Sequence, residues 1–151
     1  MYAVVFLVLQ GFSCANNLCI QNTLSQTQLC LHHLNMTRYQ MPQIDETSKF
    51  IYHLNKNKVK AWSSIIVQPS LLITSTQNQI HSQLATFLMK ELSRNGQLQE
   101  ILISIDGHVL DGHHRWAAME ALGMEIRVMI IDMPIDQLLS FSNEFSSSHH
   151  T

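Results

Sequence analysis

The sequence predicts an α+β fold, a compact domain with a small mixed sheet covered by helices, and three patterns carry that expectation. Ile101-Leu102-Ile103-Ser104-Ile105, then Asp106-Gly107, then His108-Val109-Leu110 read as strand, two-residue primed turn and strand, the strongest short-range hairpin signal a sequence offers. Ile80, Leu84, Phe87, Leu88 and Leu92 recur at helical spacing up to Gly96, as in an amphipathic helix lying on a sheet. Glu125 to Ile131 alternates at first and is wholly apolar later, which suits a strand entering the interior.

With 151 residues and 46% hydrophobic content, the chain can bury one ordinary core but not two comfortable ones. The run Ala3 to Leu9, followed by Gly11, Ser13 and Ala15, has the length and small-residue exit of a secretory h-region but no Lys or Arg before it. It reads as a cleaved signal peptide, a misassigned start or a buried strand. A cleaved leader implies a secreted or periplasmic protein, and its absence a cytoplasmic one. Residues 1–44 contain one charged side chain, Arg38, and every Asp and Glu lies at Asp45 or later. The expected organisation is therefore a possible leader and poorly ordered lead-in over 1–40, a folded domain over 41–137, and a helix end with a frayed tail over 138–151. The tail's His149 and His150 could bind a metal weakly, although histidines in such a tail more often bind nothing.

Cys14, Cys19 and Cys30 all precede the domain. An odd count without a CxxC pattern defines neither a disulfide framework nor a zinc site, although Cys19 and Cys30 are free to pair in an oxidising compartment if Cys14 leaves with a leader. Asn35-Met36-Thr37 fits a glycosylation acceptor, a triplet that also occurs by chance.

Within the domain, Ser64 to Val67 and, past Pro69, Leu71 to Ile73 suit one or two short buried strand pieces. Thr76 with Gln79 resembles a capping box opening the helix that Gly96 stops. Arg115 to Leu122 reads as a helix with Trp116, Met119 and Leu122 on one face and Gly123 at its C-terminal cap. Pro134 opens a last helix through about Phe141, with Asp132 or Met133 near its cap.

The chemistry concentrates in Asp111-Gly112-His113-His114-Arg115, where a short strand stops and a helix begins. A helix start presents unpaired N–H groups and the positive end of a dipole, and glycine lets a ligand approach the backbone. Arg115 can grip phosphate oxygens in a bidentate manner. His113 and His114 can donate hydrogen bonds or shuttle protons, and Asp111 can hold a divalent cation or orient a histidine. Taken singly, each has an ordinary explanation: Asp111 as a helix N-cap, Gly112 as a turn residue, the histidines as exposed side chains. It is their conjunction at one junction that favours an anion site. His108 is expected to line or support that site, and His53 and His81 to be surface or packing residues.

Val109-Leu110-Asp111-Gly112-His113-His114-Arg115-Trp116-Ala117-Ala118, preceded by Ile101 to Gly107, resembles the signature of the ParB-like nuclease domain in the superfamily shared with sulfiredoxin. The resemblance extends more loosely from Met41-Pro42-Gln43-Ile44 to Ile131. It implies a phosphate or nucleotide bound by Gly112, His113, His114, Arg115 and Gln77, catalytic roles for Asp111, His113 and His114, and Mg²⁺ held at Asp111. It does not choose among reactions, because the superfamily includes nucleotide-hydrolysing segregation proteins, nucleases, a serine kinase and sulfiredoxins. His113 stands where sulfiredoxins carry their reactive cysteine, which argues against sulfinic acid repair. Segregation proteins have Gly-Glu-Arg-Arg where this chain has Gly112-His113-His114-Arg115, and 151 residues leave no room for their helix-turn-helix domain. Thr76-Gln77-Asn78 offers no acid where the kinase relative has its proposed base.

Three functions follow as expectations. The first is a Mg²⁺-assisted phosphohydrolase or phosphotransferase acting on a nucleotide or phosphorylated small molecule. The second is a nuclease, for which Lys56, Lys58 and Lys60 beside Trp62 form a basic cluster, although such a run is more often a solvated face and a net charge of −2 disfavours broad electrostatic binding to nucleic acid. The third is a regulatory module that binds phosphate without turnover.

Overall fold

A strand buried on both faces must place alternate side chains in two different cores. Ile101 and Ile103 join one apolar cluster with Val109, Ile126 and Val128, whereas Leu102, Leu110 and Ile131 join another. Both faces of that sheet are therefore covered. The computed structural model describes residues 19–21, 27–30, 34–37, 40–67, 73, 75, 77, 79–95, 99–145 and 148–150. Its elements in order are β1 (Cys19–Gln21), β2 (Thr27–Cys30), β3 (Pro42–Ile44), α1 (Thr47–Lys56), β4 (Ala61–Val67), β5 (Gln79–His81) and α2 (Ser82–Asn95). There follow β6 (Ile101–Ser104), β7 (Val109–Asp111), α3 (His113–Ala121), β8 (Ile126–Ile131), α4 (Ile135–Asn143) and β9 (Ser148–His150).

The central mixed sheet runs β4-β8-β6-β7, with β6 parallel to β8 and the other pairs antiparallel. Ala85, Met89 and Leu92 of α2 and Trp116 to Met119 of α3 cover one face. Phe50 and Leu54 of α1 and Ile135 and Leu138 of α4 cover the other. The parallel β6–β8 pair requires a crossover, and β7 followed by α3 supplies it. The strand-to-helix turn between those two elements is thus part of the connection that organises the sheet. The predicted α+β class is what the structure shows.

Several boundaries differ from those expected. Thr76 lies outside the described residues, and Gln79 to His81 form a strand because β2 pairs with them, so the helix starts at Ser82. Ile80 is buried from that strand, Leu84 and Leu88 turn toward a cavity, and Phe87 is 56% exposed. The residues around Leu71 and Leu72 lie outside the described set, and Ile73 is buried without belonging to a strand. The expected lead-in contains β1 and β2, and the expected frayed tail contains β9, antiparallel to β3.

The β6–β7 turn is also not the two-residue primed type. Such a turn needs positive φ at both central residues, and Gly107 has φ +85 whereas Asp106 is not among the positive-φ residues. Gly107 N–H instead donates to Ser104 O at 3.0 Å, a longer turn with glycine in the left-handed position. That frees the Asp106 carboxylate to accept from Ser104 Oγ and from Ile135 N–H at 3.1 Å. Asp106 thereby caps α4, the role expected of Asp132 or Met133, while Pro134 occupies the N-cap position. Gly123, with φ +66, closes α3 as predicted, with Gly123 N–H on Glu120 O and Met124 N–H on Met119 O.

Truncating Leu110, which is fully buried under α1 and α4, removes packing on the strand that leads into the turn. Leu110→Ala is expected to lower unfolding free energy by about 2–5 kcal/mol, measured by urea denaturation. A change within the error of the extrapolation would show that this face of the sheet is not a packed core.

Candidate functional site

Asp111 ends β7, Gly112 takes φ +99 as the N-cap, and α3 begins at His113. The predicted strand-to-helix turn is thus where the sequence placed it. A left-handed φ excludes most residues on steric grounds, and a second constraint acts at the same atom. A Cβ on Gly112 would lie 2.7 Å from Arg115 Nη2 and 3.1 Å from Nε and Cζ. The guanidinium therefore folds back across the Gly112 Cα. Gly112 carries no side-chain cap, so Asp111 is not the helix N-cap of the ordinary reading.

This turn forms one wall of a cavity of about 210 Å³ lined by Gln43, Gln77, Leu84, Leu88 and Asp111 to Arg115. All five turn residues and Gln77 line that cavity together. Gln43 of β3 and the two leucines of α2 were missed as site residues. Leu84 and Leu88 have a helical spacing that reads as core, and only the tertiary fold turns them toward the cavity.

The histidines differ from their expected behaviour. Gln77 N–H donates to His113 Nε2 at 3.2 Å, and His81 N–H donates to His114 Nε2 at 2.9 Å. An imidazole nitrogen that accepts an N–H is unprotonated, so both rings present a lone pair to the segment before α2 and join it to the start of α3. Both side chains are buried. Burial, with the neighbouring His114 and Arg115 charges, pulls His113 down from 6.5 to about 3. A neutral His113 near pH 7 does not serve as a proton shuttle there.

Asp111 is the only carboxylate lining the cavity among the described residues. Burial holds its carboxyl above the usual 3.8, against the opposing pull of Arg115 and of a hydrogen bond from the Ile44 backbone. Arg115 Nη2 lies 3.4 Å from both Asp111 Oδ2 and Glu100 O. Arg115 Nε is buried with no hydrogen-bond partner among the described residues. One carboxylate, shared with a guanidinium, is a poor resident site for a divalent ion. Among the described residues, no group of three His, Cys, Asp or Glu side chains is arranged to hold a metal.

The other candidates lie elsewhere. His108 immediately precedes β7, at the end opposite Asp111, with Nδ1 3.7 Å from Asp106 Oδ1, and it does not line the cavity. His53 packs on Phe141 and Phe145 at ring separations of 4.8 and 5.2 Å. Lys56, Lys58 and Lys60 are exposed, and neither they nor Trp62 lines the cavity. No helix among the described residues is long and apolar enough to cross a membrane. In comparison with known proteins, no family model, curated protein or solved structure matches this chain.

Two outcomes follow. Because the unfolded chain takes up a proton near pH 6.5 that folded His113 does not accept until about 3, its stabilising contribution is complete above 6.5 and is lost as pH falls through that window. Asp111 acts in the opposite sense, its raised value favouring the folded state as pH falls. His113→Gln keeps an acceptor but does not titrate, and is expected to flatten the acid-side loss by up to about 1.4 kcal/mol per pH unit. Denaturation across pH 4–7 reads this, and unchanged slopes would show that His113 titrates normally. Gly112→Ala is expected to cost about 1–2 kcal/mol from φ alone and to displace the guanidinium. A variant as stable as wild type would contradict that geometry.

Proposed function

We propose that the chain binds a phosphate-bearing small molecule, a nucleotide or other phosphoester, in the cavity at the start of α3. The observation that carries this reading is the Arg115 guanidinium, folded over Gly112 at a helix N-terminus with its Nε buried and without a hydrogen-bond partner among the described residues. A helix start favours negative charge, and a guanidinium with a donor to spare matches phosphate oxygens. Asp111 is the neighbour that such an anion would displace from Arg115. Leu84 and Leu88 offer an apolar wall for the uncharged part of the ligand.

The resemblance to ParB-like domains supports extending this to phosphoryl transfer or hydrolysis. In that reading Asp111 would exchange the proton and Arg115 would stabilise the charge that develops on the phosphoryl oxygens. One observation favours the version without turnover: His113 and His114 already use Nε2 as acceptors from the backbone. The nuclease reading has less support, because the basic cluster does not line the cavity.

Calorimetry with pyrophosphate and with nucleoside mono-, di- and triphosphates, each with and without Mg²⁺, tests the binding. Arg115→Ala should weaken the tightest ligand about 10- to 100-fold, the loss of charge-assisted hydrogen bonds worth about 1.5–3 kcal/mol. Absence of binding by every probe, or equal binding by Arg115→Ala, would refute the proposal. Phosphate release by the wild type then separates turnover from binding alone.

A further inference from the structure

We propose that Cys19 and Cys30 form a disulfide that closes the amino-terminal hairpin and braces the strand carrying His81. The β1–β2 register sets Cys19 opposite Cys30, Ile20 opposite Leu29 and Gln21 opposite Gln28. Directly opposed residues of antiparallel strands have Cα atoms about 4.5–5.5 Å apart, inside the span of about 4.4–6.8 Å that a disulfide bridges. The backbone therefore needs no rearrangement.

The position of the pair gives the bond a task. Cys19 and Cys30 stand at the open end of the hairpin, away from the connection over residues 22–26. A hairpin of three- and four-residue strands is marginal by itself, and a covalent tie at its open end opposes separation of the strands. The other edge of β2 pairs with β5, Thr27 facing His81 and Leu29 facing Gln79. His81 N–H is the donor to His114 Nε2. A bridged hairpin thus holds β5, and through it the donor that fixes the first turn of α3.

The oxidant is a small-molecule disulfide such as oxidised glutathione. The thiolate of one cysteine attacks one of its sulfurs and expels a first thiol, leaving a mixed disulfide on the chain. The second cysteine's thiolate attacks the chain sulfur of that mixed disulfide and expels a second thiol. The two electrons and two protons given up by Cys19 and Cys30 leave on the two reduced thiols.

The full chain is incubated with oxidised glutathione, alkylated and digested for mass spectrometry. Chymotrypsin is suitable because it cuts after Leu24, whereas the first Lys or Arg of the chain is Arg38. A Cys19 peptide joined to a Cys30 peptide, two hydrogens lighter than their sum, with Cys14 alkylated, is the expected result, and Cys14→Ser should retain the link. Alkylation of all three cysteines, a persistent glutathione adduct on Cys19 or Cys30, or a link through Cys14 would overturn the proposal. Hydrogen exchange on the same samples is expected to be slower over residues 79–81 in the oxidised chain. Equal rates would remove the bracing role.

Discussion

Two imidazole lone pairs hold the start of α3 in place. His113 and His114 open α3, and their Nε2 atoms accept N–H groups from Gln77 and His81, residues more than thirty positions earlier. The segment before α2 would otherwise have to satisfy those amides in some other way, at the usual desolvation cost of a buried donor. With them satisfied, β5 is seated against the start of α3 and the cavity has a defined wall. The left-handed Gly112 sets the direction in which α3 leaves the sheet, and the histidines keep that direction from wavering.

Charge at the turn follows from the same packing. Desolvation disfavours a proton on His113 and favours one on Asp111, leaving Arg115 as the cation beside the cavity. Arg115 is in turn only loosely engaged, at the long end of hydrogen-bond distance from Asp111 and Glu100. A strongly paired guanidinium would have little reason to release its partner for an incoming anion. A weakly paired one exchanges neighbours at small net cost, which is the electrostatic basis for reading the turn as a binding place.

Much of this was legible in the residues, for reasons that can be named. Asp111-Gly112 sits between an apolar strand and a run of helix formers, and local chemistry decides such a junction. The hairpin, the Gly123 stop and the β8 strand follow from equally local patterns. What escaped notice depends on distant partners. Gln79-Ile80-His81 continues a helical pattern in sequence and is made a strand by β2, while Ser148 to His150 becomes a strand because β3 has a free edge. The histidines matched proton-handling chemistry by type, and only the backbone donors opposite them assign a structural task. Asp106 looked like one half of a turn dipeptide, and its use as the cap of α4 needed the third dimension.

Residues His113 to Ala121 are buried almost throughout, Arg115 excepted, so the Gly112 end of α3 belongs to the most enclosed helix among the described residues. Such a wall behaves as a rigid die. Under the proposed binding role, fit between guest and host would come from the opposite side, where Leu84 and Leu88 sit on a helix that also shows Phe87 to water. Diversification of ligand preference among descendants of this chain would therefore accumulate on α2, with the Gly112 turn carried along unchanged as the price of having a core at all.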